Sequence, residues 1–69
     1  MNISELSSIA TSLDDLTRRI AGHGEHQLQM MREDLANELF AVERSMTTAA
    51  RRLTRIVDDA SRARPPANN

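Results

Sequence analysis

The stretch EHQLQMMREDLANELFAVERSMTTAARRLTRIVDDASRA, residues 25–63, decides the fold. Arg32 and its apolar residues Leu28, Leu35, Leu39, Val42, Met46, Ala49, Leu53, Ile56, Ala60 and Ala63 recur at alternating spacings of four and three. That periodicity predicts a long helix with one continuous seam. In heptad terms Arg32, Leu39, Met46, Leu53 and Ala60 stand at a, and Leu28, Leu35, Val42, Ala49, Ile56 and Ala63 at d. A second stripe runs beside the first, with Ala36, Ala50 and Val57 at e and Phe40 at b. The apolar arc is wider than a two-stranded coiled coil uses, so this helix is expected to touch two neighbours, as in a bundle.

Upstream, Asn2 is placed to cap a first helix, with Glu5 three residues on as in a capping box and Met1 positioned to staple onto Leu6. Leu6, Ile9, Leu13, Leu16 and Ile20 then form an amphipathic stripe that Ile3 and Ala10 widen. Asp14 with Arg18 and Asp15 with Arg19 are i, i+4 pairs in the favourable order. The only two glycines, Gly22 and Gly24, flank His23, and beyond them the apolar pattern restarts in a different phase. The reading is one all-α helical hairpin over residues 1–64: a short helix at about 3–21, a turn at 22–24 and a long helix at about 25–63. Pro65 and Pro66 are expected to stop the second helix and leave a disordered tail at 65–69.

A chain of 69 residues buries only about 60% of the surface its unfolded form exposes. With no Cys, it has neither disulfides nor a Cys-ligated metal to staple it, which leaves oligomerisation. At 1.5 Å per residue the expected helices measure about 28 and 58 Å, so the first would cover only half of the second. Met46, Ala49, Ala50, Leu53, Ile56 and Val57 would then lie on an uncovered strip that needs a partner.

Charge indicates how a second copy would fill it. Residues 1–43 carry eight acids against three Arg, and residues 44–69 six Arg against two Asp, for a net charge of −1 over the chain. An antiparallel pairing lays each basic half on the partner's acidic half, giving a two-fold symmetric interface. The matching register sets Met46 against Val42 of the partner, Leu53 against the partner's Leu35, Leu39 against the partner's Ala49 and Ala60 against the partner's Leu28. Ile56 falls against the partner's Arg32, and Glu38 beside the partner's Arg52; Glu43 facing the partner's Glu43 is the one conflict, and a slip of one heptad is the alternative register. The expected assembly is an antiparallel coiled-coil homodimer, four helices in all with a three-helix cluster at each end.

Little in the chain points to catalysis. No nucleophile stands beside a base, and the acid doublets Asp14-Asp15, Glu33-Asp34 and Asp58-Asp59 fall on outward heptad positions. Gly22-His23-Gly24 lacks the spacing and the preceding strand of a dinucleotide-binding loop. His23 and His26 are the only imidazoles and read as loop decoration rather than metal ligands. The expectation is a non-enzymatic protein–protein interaction module, an adaptor or structural component without cofactor or metal. One rival reading has the seam of the second helix bind a different protein as a regulator. A third is a nucleic-acid accessory protein, using the outer stripe Arg44, Arg51, Arg55 and Arg62. Asp58 in that stripe, the acidic other half and the single aromatic Phe40 weigh against it. No apolar run is long enough for a membrane span and no secretory signal pattern is present, so a cytoplasmic location is expected.

Overall fold

A computed structural model describes residues 1–63 as two helices, α1 over Ile3–Gln29 and α2 over Glu33–Ala63, packed against each other as an antiparallel hairpin. The expected tail at 65–69 and the proline stop lie outside the described residues. The start of α1 is as its sequence indicates: the Asn2 Oδ1 accepts the Glu5 amide at 3.0 Å. Met1, however, is 83% exposed, so the staple onto Leu6 is not formed.

The turn is not where the glycines suggested. The first helix does not end at residue 21 but runs through Gly22, His23 and Gly24, and neither glycine has a positive φ. The chain reverses at Met30–Arg32, and Met31 carries the left-handed backbone with φ 63°. The Met31 amide donates to the Leu28 carbonyl at 3.1 Å and the Arg32 amide to the Gln27 carbonyl at 2.9 Å. This is the Schellman closure of a helix C-terminus, with methionine where glycine is usual. The Arg32 carbonyl then accepts the Ala36 amide at 3.0 Å and starts α2, so one residue closes one helix and opens the next. Glu33 and Asp34 in the first turn of α2 complement the exposed amides there.

Gly24 is in the helix for packing. An added Cβ would stand 2.6 Å from Cε1 and 2.9 Å from Cδ1 of Phe40, so a glycine here lets the Phe40 ring of α2 approach α1 this closely. Burial traces the seam. On α1 the less exposed residues include Ile3, Leu6, Ala10, Leu13, Thr17, Ile20, Gly24 and Gln27. On α2 they include Ala36, Leu39, Glu43, Met46, Ala50, Leu53, Val57 and Ala60. Both series alternate spacings of three and four without a break, which is the antiparallel knobs-into-holes pattern. In α2 the seam thus combines the a and e positions of the sequence frame.

This arrangement also corrects the length mismatch. With 27 and 31 residues the helices measure about 40 and 46 Å, so α1 flanks nearly all of α2. The basic C-terminal half of α2 lies beside the acidic N-terminal half of α1. Charge complementarity assigned to a second copy is therefore available within one hairpin.

Candidate interaction surfaces

The two long sides of the hairpin differ in chemistry. On one, α1 contributes Ser7, Ala10, Thr11 and Asp14, and α2 contributes Thr47, Ala50, Arg51 and Thr54, to a shallow open groove. Asp14 is engaged by Arg18 at 2.6 Å. Thr11 turns its hydroxyl back to the Ser7 carbonyl at 3.2 Å. The groove offers hydroxyls and one guanidinium to water.

The opposite side is apolar. Ile9 and Leu16 on α1 and Leu35, Val42 and Ile56 on α2 are each between 44% and 48% exposed, and Met30 is 53% exposed. The spacing is seven on each helix, which draws a straight ladder: Ile9, Leu16, His23, Met30 on α1 and Leu35, Val42, Ala49, Ile56 on α2. The seam occupies one flank of each ladder, and the hydroxyl groove marks the far side. The register fixed by Gly24 against Phe40 brings the rungs level as Ile9 with Ile56, Leu16 with Ala49, His23 with Val42 and Met30 with Leu35.

The residues expected to form a dimer interface divide between these roles. Leu39, Met46, Leu53 and Ala60 are less exposed and belong to the seam with α1, whereas Leu35, Val42, Ala49 and Ile56 are exposed on the open face. Glu38 and Arg52 lie exposed along the outer rim of that face. Leu28 belongs to α1, not to the second helix, and is 47% exposed near the turn. Arg44, Arg51, Arg55 and Arg62 are exposed along the back of α2, with Arg51 at the lip of the hydroxyl groove. Among the described residues the two side-chain ion pairs, Arg18 with Asp14 and Arg19 with Asp15 at 4.0 Å, are both on α1.

His23 and His26 lie on the helix rather than in a loop, both exposed, and among the described residues no three His, Asp or Glu side chains gather as a metal site. No helix of the described residues is long and apolar enough to cross a membrane. One polar atom is stranded: the Gln27 Oε1 is buried in the seam beside the turn without a hydrogen-bond partner. The open apolar ladder escaped the sequence reading because its α1 half was taken as core and its α2 half as the seam. The seven-residue spacing of Ile9, Leu16 and His23 was the available signal. No protein-family model matches the chain, and comparison with curated proteins and with solved structures gave no match either.

Proposed function

We propose that this chain is a non-enzymatic protein–protein interaction module that self-associates through the apolar side of its hairpin. The observation that carries the reading is the absence of a core: among the described residues no large side chain is fully buried, and Ala36 is the one buried apolar residue. Two helices laid side by side can bury only one flank of each, which leaves a chain of this size only marginally stable on its own. Covering each half-exposed Ile, Leu or Val of the ladder is worth about 1 kcal/mol, and a second copy covers both ladders at once.

Sedimentation equilibrium combined with thermal melting at several concentrations tests the reading. A dimer at micromolar concentration is expected, with a melting temperature that rises with concentration because folding and association are linked. A folded species of 7.7 kDa with a concentration-independent melt rejects self-association. The same face would then belong to the regulator reading, in which a different protein covers it.

A further inference from the structure

The apolar side is built to receive a second hairpin face to face, and the charges on its rims distinguish the two symmetric ways of doing so. Seen down α2, α1 lies against positions a and e, and the Leu35–Ile56 ladder points about a quarter-turn away. That is the angle between adjacent neighbours in a square four-helix bundle. The Ile9–Met30 ladder of α1 stands in the same relation to α2. A two-fold axis running along the hairpin would place α2 over the partner's α1, with both turns at one end. An axis running across it would place α2 over the partner's α2 and α1 over the partner's α1, with turns at opposite ends. Both arrangements stack every apolar rung, so the ladders alone do not choose.

The rims do. Outside the ladders run Glu5, Ser12, Arg19 and His26 on α1, and Glu38, Ser45, Arg52 and Asp59 on α2. With turns at one end, Glu5 meets the partner's Asp59 twice, Arg52 meets the partner's Ser12, Arg19 meets the partner's Ser45, Glu38 falls beside the partner's His26, and no Arg meets a carboxylate. With turns opposed, the register that pairs Leu35 with the partner's Ile56 and Val42 with the partner's Ala49 sets Glu38 beside the partner's Arg52, and this happens twice. The same register pairs Ile9 with the partner's Met30 and Leu16 with the partner's His23, so both ladders are satisfied at one setting. Its one like-charge meeting is Arg19 with the partner's Arg19 at the axis, and Asp15 one turn back partly offsets each of them.

We infer that the occupant of the apolar face is a second copy with its turn at the opposite end, α2 lying antiparallel on the partner's α2 with the axis beside Ser45. This rests on the reading of the chain as a self-associating module. Each copy presents a strip about 32 Å long and two helices wide, roughly 600 Å², at the lower end of the footprint of specific interfaces.

Glu38 and Arg52 are fourteen residues apart on one helix and cannot pair within a chain, which makes a charge exchange decisive. Glu38→Arg and Arg52→Glu are each expected to raise the dimer dissociation constant about tenfold, since two pairs are lost and two repulsions gained. The double variant should return to within about threefold of the wild type. Ser45→Cys, in a protein without cysteine, should oxidise to a covalent dimer. A wild-type dimer whose charge exchange gives no recovery, and whose Ser45→Cys stays uncrosslinked while Arg19→Cys/Ser45→Cys crosslinks, overturns the opposed arrangement and leaves self-association standing. A wild type that is monomeric throughout overturns both.

Discussion

Gly22 and Gly24 stand two residues apart in one helix, and their surroundings give them opposite consequences. Nothing lies within 4 Å of a Cβ added at Gly22, which faces water on the back of α1. Gly22→Ala should stabilise the protein by about 0.5–1 kcal/mol, the helix-propensity difference alone. Gly24→Ala gains the same propensity but drives a methyl into the Phe40 ring, and overpacking of that kind costs about 1–3 kcal/mol. A net loss is expected, recovered when Phe40→Leu is combined with it. Urea unfolding of the three variants measures this, and equal gains at both glycines would show that α1 and α2 do not approach closely at that point.

At the scale of the element, the turn carries an identifiable strain. Met31 holds φ 63°, a conformation that costs a side chain bearing Cβ about 1 kcal/mol and glycine almost nothing. Met31→Gly should therefore raise the unfolding free energy by up to about 1 kcal/mol, read from the denaturant midpoint at unchanged slope. A loss would mean that the 83% exposed side chain of Met31 makes a contact outside the hairpin.

The same turn explains what the sequence concealed. Asn2 as a cap, two amphipathic helices, and an apolar arc on α2 broad enough for two neighbours were all legible, because capping and periodicity are local. The reversal was not. Glycine, the usual stop, occupies a helix interior for the sake of a ring sixteen residues further along the chain, and methionine occupies the left-handed site where glycine belongs. Gly24 and Gln27 also hold seam positions without being apolar, so a pattern that continues unbroken looked as if it had ended and restarted at Leu28. Moving the turn from 22–24 to 30–32 made the helices nearly equal and replaced an uncovered half of α2 by an uncovered side of the whole hairpin. Glu38 and Arg52 kept their place on its rim.

In the whole molecule, two of the three buried positions among the described residues lie in the half of the hairpin next to the turn. There the buried Ala36, the buried Gly24 and the Phe40 ring lock the helices together. Toward Ile3 and Ala60 the two helices are joined only through ever longer closed loops, and loop closure grows more costly with length. A single hairpin should consequently behave as a zipper: amide hydrogen exchange is expected to be slowest around residues 24–40 and to quicken steadily toward the open end. Uniform protection in dilute solution would contradict this gradient. Pairing with turns opposed sets the fraying end of each copy against the closed end of the other. Raising the protein concentration should then slow exchange most at the open end, each copy serving as the clasp that the other lacks.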